Sequence, residues 1–410
     1  MAELGRIGEA ITAARPTAVA ALLRYFRNLD LAEDLYQEAS LRALRTWPQH
    51  GIPINPASWL ILAGRNAGLD QKRREQRHVE LPDEVAISDL ADTEEAAAEA
   101  IDAADYRDDV LRLLFICCHP QLPAEQQIAL ALRVVSGLTV EQIARAFLVS
   151  ESAMEQRITR AKARVKTANI PFESPASAER SARLAAVAAM VYLVFNEGYT
   201  TEAADLGAKA PLCEEGIRLA RLLRSLFPGD TEVAGLLALL LLQHARAGAR
   251  FDRDGALVQL SEQDRGKWDR ALIAEGLGLI AGAIRIGRPG PYQVQASIAA
   301  VHSQASDAEA TDWRAIEGLY AVLETMQPSP VVTLNRAVAV SKTRGPEAAL
   351  AMIEPLEKKL GGYFYYHGTR GTLLKDLGRG NEARDAFERA RGLANSTAEA
   401  AFMQRQLDAL

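Results

Sequence analysis

Five cationic side chains fall within ten residues of one another, with no acidic residue among them: Arg157, Arg160, Lys162, Arg164 and Lys166. Cations at this density can hold the phosphates of a nucleic acid. A solvated amphipathic helix carries a similar run of charge, so the cations alone do not decide between the two interpretations. The pattern of the residues in front of them does.

The segment that leads into these cations has the pattern of two capped helices joined by a short turn. Thr139 and Gln142, three residues apart, form a capping box that begins the first helix. After a break at 148–150, Ser150 or Ser152 can cap the second helix. That helix buries one stripe at four- and three-residue spacing, formed by Met154, Ile158, Ala161 and Val165. The arrangement favours a DNA-binding helix-turn-helix over a solvated helix.

In a helix-turn-helix, the first turn of the second helix faces base edges and the cations along it face phosphates. The predicted base readers are Ser152, Ala153, Glu155 and Gln156. The predicted backbone contacts are Arg157, Arg160, Lys162 and Arg164. Glu155 has a second interpretation, because a Glu three residues after Ser152 can instead close a capping box.

Two further polar patterns lie nearer the N-terminus. Residues 30–39, DLAEDLYQEA, place Leu31, Leu35 and Ala39 on an inward face and direct Asp34 and Gln37 outward, with Glu38 near the boundary. After a loop at 48–55, the segment PASWL begins a helix with a basic second half. Its polar residues are Arg65, Asn66, Asp70, Lys72, Arg73, Arg74 and Arg77.

Motifs of catalysis and metal binding are missing from the sequence. It contains no Gly-x-x-x-x-Gly-Lys, no His-Glu-x-x-His and no Gly-x-Ser-x-Gly, and its six histidines are scattered. Cys117, Cys118 and Cys213 form no Cys-x-x-Cys pair, and we interpret them as buried thiols of a reducing compartment. We therefore expect no catalytic residue, no metal site and no cofactor.

The composition predicts the elements that must position these residues. Ala, Leu, Glu, Arg and Gln recur with apolar positions three and four apart almost throughout the 410 residues, so the fold class is all-α. The apolar runs at 184–195 and 233–242 are shorter than the roughly 18 residues that a membrane-spanning helix needs. Residues 1–10 show no secretory signal. We expect a cytoplasmic protein that does not bind membranes.

Changes in composition divide the chain into segments. Residues 1–78 form a first helical domain, and the acidic residues 79–108 form a linker. Residues 109–168 hold the helix-turn-helix, and the proline-containing residues 169–176 form a second linker. Residues 177–410 read as one helical array, in which Glu347 is echoed by Glu382 after 35 residues. That spacing is close to the roughly 34 residues of a tetratricopeptide (TPR) repeat, so we call this domain TPR-like.

The N-terminal motifs, in their order and separation, resemble the bacterial RNA polymerase sigma factors of the extracytoplasmic-function (ECF) class. DLAEDLYQEA is similar to their region 2.2, PASWLILAGRNAGLDQKRR to regions 2.3 and 2.4, and the helix-turn-helix to region 4. The resemblance covers about the first 168 residues. The C-terminal half, with FNEGY, GPYQVQ and LNRAVAV, is similar to a subgroup with a TPR-like extension.

The resemblance implies partners and residue roles. The chain would bind promoter DNA and the β and β′ subunits of core RNA polymerase. Asp34, Gln37 and Glu38 would dock on the clamp coiled coil of β′, and the loop at 48–55 would hold a base flipped from the −10 element. The implied −10 contacts are Asn55, Trp59, Arg65, Asn66, Lys72, Arg73 and Arg74. Trp59 has a second interpretation as a buried anchor of its helix. The helix-turn-helix would bind the −35 element.

Two small DNA-facing domains suffice for promoter opening, so the long C-terminal domain requires a hypothesis of its own. We expect it to regulate the other two by binding a protein or small molecule in a concave groove. The predicted groove residues are Asn196, Glu197, Tyr199, Tyr292, Gln293 and Gln295, which could instead cap helices and satisfy buried backbone groups. Two rival classes remain open: a helix-turn-helix regulator that acts without polymerase, and a TPR-type scaffold that binds no DNA.

Overall fold

The computed structural model describes residues 2–76, 103–147, 149–167, 177–199, 206–252, 258–394 and 397–410, without the side chains of 2–4, 72–76, 103–108, 177–180 and 206–210. The chain forms two compact units, Met1–Leu193 and Val194–Leu410. The boundary between them falls inside the helix Ser177–Tyr199. Of the two predicted linkers, only the backbone of 103–108 lies within the described residues, and it is helical.

Helices carry the first unit, as the sequence predicts. They are α1 (Ala2–Phe26), α2 (Leu29–His50), α3 (Pro56–Gln76), α4 (Ala103–Cys117), α5 (Ala124–Val134), α6 (Val140–Ala146), α7 (Glu151–Thr167) and the first part of α8 (Ser177–Tyr199). Helices α1, α2 and α3 pack against one another, and α4 packs on α1. Helices α5, α6 and α7 form a second group.

The cap and the apolar stripe of α2 determine which of its faces is outward. Asn28 begins the helix, because its Oδ1 accepts hydrogen bonds from the backbone N–H groups of Asp30 and Leu31 at 3.0 and 3.2 Å. Gly51, with φ of +88°, ends it. The buried face is formed by Ala32, Glu33, Leu35, Tyr36, Ala39, Ser40, Ala43 and Trp47. The opposite face is therefore available to a partner.

The predicted helix-turn-helix is confirmed in its local detail. The N–H of Gln142 donates to Thr139 Oγ1 at 3.1 Å, and the N–H of Thr139 donates to Gln142 Oε1 at 2.8 Å, so the capping box of α6 is complete. Ser150 rather than Ser152 caps α7, accepting from the N–H of Ala153 at 3.2 Å. The predicted stripe on α7 is buried at Met154, Ile158 and Ala161 and half-buried at Val165.

The second unit is a TPR-like array in which helices pack mainly on their neighbours along the chain. The helices are α9 (Leu206–Leu226), α10 (Thr231–His244), α11 (Arg270–Ile286), α12 (Pro291–Gln304), α13 (Trp313–Met326), α14 (Pro330–Arg344), α15 (Pro346–Ile353), α16 (Glu357–Leu360), α17 (Phe364–Asp376), α18 (Gly380–Gly392) and α19 (Thr397–Asp408). Helices α10 and α12 approach closely, since a Cβ on Gly235 would lie 2.6 Å from the backbone nitrogen of Gln293.

The predicted repeat is visible in the last helix pairs. Helices α14 and α17 begin 34 residues apart, at Pro330 and Phe364, and α15 and α18 also begin 34 residues apart. The small and large apolar residues of this segment share one buried cluster, which includes Leu373, Leu374, Ala383, Phe387 and Ala390. The alternation of side-chain sizes therefore interlocks the helices, as in other helical repeats.

Among the helices that are described, none has an apolar stretch long enough to span a lipid bilayer.

Candidate nucleic-acid interface

The first turn of α7 is open to solvent. Ser152, Ala153, Glu155 and Gln156 are all exposed. Because Ser150 provides the cap, Ser152 and Glu155 are not the pair that closes the start of the helix. All four predicted base readers therefore lie where base edges could reach them.

The predicted phosphate contacts on α7 have two different surroundings. Arg157 pairs with the exposed Glu125 at 3.1 Å, Arg160 donates to Gln156, and Arg164 donates to Gln126. Exposed pairs of this kind contribute little free energy and are readily exchanged for phosphates. Lys162 is different, because it contacts α2 across the two helix groups of the first unit.

An ion cluster that the sequence analysis did not predict joins the two helix groups. Lys162 Nζ lies 2.7 Å from both Asp30 Oδ1 and Glu33 Oε2, and the side chain of Glu33 is only 6% exposed. Glu33 also pairs with the buried Arg15 at 3.0 Å and lies 3.8 Å from Arg133. Arg15 in turn donates to the carbonyls of Arg133 and Val134 at the end of α5.

Charge and burial act against each other at this cluster. Burial lowers the pKa of Lys162, but the charge of Glu33 and the hydrogen bonds to Asp30 and Glu33 outweigh it, so its pKa is raised overall. Burial lowers the pKa of Arg15, while Glu33 opposes that shift. A charged residue inside the apolar stripe of a helix was the available signal: Arg15 lies in an Ala-rich run, and Glu33 lies between Ala32 and Leu35.

The outward face of α2 presents the predicted docking residues. Asp34, Gln37 and Glu38 are exposed, one and two turns after the Asn28 cap. Two large apolar side chains continue this face, Leu41 at 57% and Leu44 at 41% exposure. The sequence analysis missed these leucines, although their spacing of three from Glu38 and Leu41 was the signal for a shared face. Together these five residues form what we call the α2 outer face.

The loop before α3 and the start of α3 place the predicted −10 contacts. Asn55 is exposed and also caps α3, accepting from the N–H of Ser58 at 3.1 Å. Trp59 is half-buried and lies edge-on to Trp47 at 5.4 Å, which supports its role as an anchor. Ile54, which the sequence analysis missed, is 93% exposed.

Further along α3 the surface becomes cationic. Arg65 is exposed with its guanidinium 4.7 Å from the ring centre of Tyr25, and Asn66 is half-buried. The side chains of Lys72, Arg73 and Arg74 lie outside those that the structure describes.

The predicted groove residues of the second unit are used largely in holding its own helices. Tyr199 accepts a hydrogen bond from Arg246 at 2.8 Å, and the guanidinium of Arg250 lies 3.8 Å from its ring centre. Gln293 is buried and donates to the carbonyl of Arg288 and to Glu232, and Gln295 donates to the carbonyl of Pro291. The backbone N–H of Tyr292 donates to Glu232. Asn196 and Glu197 are half-buried near the end of α8.

The three thiols are buried, as predicted. Burial raises the pKa of Cys118 to about 12 and that of Cys213 to about 11, and it raises the pKa of Cys117 well above its usual value. Such thiols stay protonated at neutral pH and are poor nucleophiles. Over the described part of the chain, no group of three His, Cys, Asp or Glu side chains is placed to hold a metal ion.

His302 on α12 is a half-buried imidazole in cationic surroundings. Its ring lies edge-on to Trp313 at 5.4 Å. Burial, together with the charges of Arg246 and Arg265, lowers its pKa to about 4. The ring is therefore neutral in the folded protein at pH values where an unfolded His takes up a proton.

We expect the second unit to lose stability as the pH falls from about 6.5 to about 4, because only the unfolded chain protonates His302 in that range. The loss attributable to this residue is up to about 3 kcal/mol. The measurement is urea unfolding at a series of pH values, in a Trp47→Phe, Trp59→Phe background where Trp268 and Trp313 report on the second unit. His302→Gln should remove this part of the acid sensitivity. Equal pH dependence of both proteins would contradict the assignment.

Comparison with known proteins places this geometry in a family. Residues 10–78 match the family Sigma-70 region 2, and residues 112–165 match Sigma-70, region 4. The first range covers most of α1 to α3, and the second covers α5, α6 and most of α4 and α7. Residues 183–284, from α8 into α11, match a family of unknown function (DUF6596).

Several known proteins are similar to this chain. The RNA polymerase sigma factor CarQ of Myxococcus xanthus is 31% identical over 139 residues, which are 34% of this chain and 75% of CarQ. The probable RNA polymerase sigma factor RfaY of Xanthomonas campestris pv. campestris is 30% identical over 162 residues, 39% of each chain. Along the whole chain, the uncharacterized protein R00370 of Rhizobium meliloti (strain 1021) is 62% identical over 410 residues, 100% of this chain and 97% of that one. The crystal structure of yeast Tom70 aligns over 99% of this chain and 85% of its own at 13% identity, with a TM-score of only 0.38.

A core of α1 to α3 followed by a capped helix-turn-helix, matching regions 2 and 4 in that order, defines a transcription initiation factor. The chain belongs to the sigma-70 family of RNA polymerase sigma factors. Membership implies that it binds core RNA polymerase and promoter DNA.

Proposed function

We propose that this protein is a sigma factor of the ECF class that directs polymerase to specific promoters, and that its second unit regulates this activity. The observation that carries the proposal is the α2 outer face, where acidic and apolar side chains are exposed side by side. A DNA-binding regulator that acts without polymerase has no use for this surface.

The α2 outer face has the chemistry of a protein interface. Asp34 and Glu38 supply negative charge, which attracts a basic partner and orients it. Leu41 and Leu44 supply apolar area that is costly to leave in water and is recovered when a partner covers it. We assign this face to a basic surface of core polymerase, with Gln37 contributing a neutral hydrogen-bonding group.

The DNA contacts divide between α3 and α7. Arg65 and the exposed loop residues Ile54 and Asn55 would meet the melted −10 strand, where an apolar side chain can stack or wedge against a base. The open first turn of α7 would meet the −35 duplex, with Arg157, Arg160 and Arg164 on its phosphates.

In vitro transcription with core RNA polymerase on pooled promoter fragments tests this function. We expect discrete transcripts that depend on the added protein. Asp34→Arg should reduce them at least about tenfold by placing a cation against a basic partner, and it should leave binding to duplex DNA unchanged. Arg160→Ala should weaken binding of −35 fragments and reduce the salt dependence of that binding by about one unit of slope.

Matched controls carry the same changes away from these surfaces. Glu9→Arg and Arg6→Ala alter exposed charges on α1 and should leave transcription unchanged. Fragment binding without any transcript would contradict sigma activity and favour a helix-turn-helix regulator that acts alone. Loss of transcription in Glu9→Arg as well would mean that the Asp34→Arg effect is not specific to the α2 outer face.

A further inference from the structure

The second unit contains a cavity of about 390 Å³ that is separate from the predicted groove residues. It lies among the segment before α11 and helices α12, α13, α14 and α17. The polar and aromatic side chains that line it include Arg265, His302, Trp313, Tyr320, Lys342 and Asp376. Pockets of this volume commonly hold small organic molecules.

A buried charge at the wall of this cavity has no counter-ion in the described part of the chain. Arg265 is only 7% exposed. Its guanidinium donates to the carbonyls of His302 and Ala305 at 2.6 and 2.7 Å and to Thr311 Oγ1 at 3.2 Å, all of them neutral acceptors. No described carboxylate lies within 4.0 Å of it. Buried charges in proteins are normally paired, because burial without a partner is costly.

Three of the five N–H groups of Arg265 are used by those acceptors, and the described residues take up neither of the other two. The guanidinium is fixed in place, since it also lies 5.0 Å from the ring centre of the buried Trp268. A cation held rigidly with spare donors is suited to bind an anionic group that enters from the cavity.

The neighbouring groups reinforce the demand for negative charge. Lys342 on α14 lines the cavity and is exposed. His302 is neutral, because burial and the charges of Arg246 and Arg265 lower its pKa to about 4, so it supplies no negative charge. Asp376 lies on α17, in the lining contributed by a different helix. It disfavours a second anionic group on the same ligand.

The apolar part of the lining is flat and aromatic. Trp313, Ile316 and Tyr320 lie three and four residues apart, so they share one face of α13. Ala339 on α14 and Leu373 on α17 complete the apolar surface. A planar apolar body fits between such side chains better than a branched or strongly hydrated one.

We propose that this cavity binds a small organic monoanion with an aromatic body, its anionic group beside Arg265 and Lys342 and its body against Trp313 and Tyr320. The binding does not depend on sigma activity. Its consequence, that the ligand controls the sigma factor through the second unit, rests on the function proposed above.

Isothermal titration of the full chain with 1-naphthoate and benzoate tests the binding directly, with 1-naphthamide as the neutral control. We expect at least one of the two anions to bind, and the amide to bind at least about tenfold more weakly, because it cannot neutralise Arg265. Lys342→Gln and Tyr320→Ala should each weaken the anion at least about threefold. Lys358→Gln, an exposed change on α16, should not.

Three results would overturn the proposal: no binding of either anion, equal binding of 1-naphthamide, or unchanged affinity in both cavity variants. These measurements contain no polymerase and no DNA, so they stand apart from the transcription assay. Transcription with and without the bound anion then tests the regulatory consequence alone. Binding without any change in transcript yield would contradict regulation by this ligand and leave both the site and the sigma activity standing.

Discussion

Replacing Arg15 with methionine is expected to lower the free energy of unfolding of the first unit by about 3 to 5 kcal/mol. The guanidinium is 3% exposed, pairs with Glu33 at 3.0 Å and donates to the carbonyls of Arg133 and Val134. Methionine fills similar space but leaves Glu33 short of its nearest cation and leaves the end of α5 without its donor. Urea unfolding, followed through Trp47 and Trp59 in a Trp268→Phe, Trp313→Phe background, measures the loss.

The double variant Arg15→Met, Glu33→Leu distinguishes an uncompensated charge from lost packing. Replacing both partners removes the buried charge as well as its counter-ion, so the double variant should be more stable than Arg15→Met alone. Lys162 still has Asp30, and Arg133 still donates to the carbonyl of Leu138. Arg6→Met, an exposed change on the same helix, is the control and should cost little. A double variant less stable than the single one would show that the ion pair stabilises the unit beyond its own desolvation.

Phe387→Ala is expected to destabilise the end of the second unit by about 3 to 5 kcal/mol. Phe387 is fully buried on α18 and belongs to the apolar cluster that holds α14 to α19 together. Its ring lies against Gly371 on α17, where a Cβ would come within 2.5 Å of it. Removing the ring leaves a cavity that two closely packed helices cannot collapse. Hydrogen exchange of the α17 and α18 amides measures the effect.

Gly371→Ala supplies the second side of a double-mutant cycle. Alone it should destabilise the same helices, because its methyl group would overlap the Phe387 ring. Combined with Phe387→Ala it should cost less than the two single changes added together, since the methyl group then enters the space that the ring has left. Additive losses would mean that the two residues do not share one packing site.

Local patterns in the sequence predicted the fold well where neighbouring residues determine the structure. The capping box of α6 depends on Thr139 and Gln142, three residues apart, and both hydrogen bonds form. The repeat near the end of the chain follows from a spacing of small and large apolar residues within two helices. The choice between Ser150 and Ser152 as the cap of α7 was left open by the sequence, since either hydroxyl can begin a helix.

Contacts between distant residues were not predictable in the same way. Arg15 and Val134 are 119 residues apart, and no periodicity connects them. Lys162 has the same character as the other cations of α7 in the sequence, and only the packing of α7 beside α2 separates it from them. The cavity around Arg265 likewise needs four helices and a connecting segment to come together. The roles of the polymerase- and DNA-facing residues remain predictions, which the variants described above test.

The contact of Lys162 with Asp30 and Glu33 has a consequence for how DNA binding depends on salt. A cation that binds DNA releases a condensed counterion from the phosphates, and this release drives much of the affinity. Lys162 is already neutralised within the protein, so while this contact holds it releases no counterion. If α7 parts from α2 on polymerase, Lys162 adds about one ion to the total, and the same helix then binds its promoter with a steeper salt dependence than it shows in the free protein.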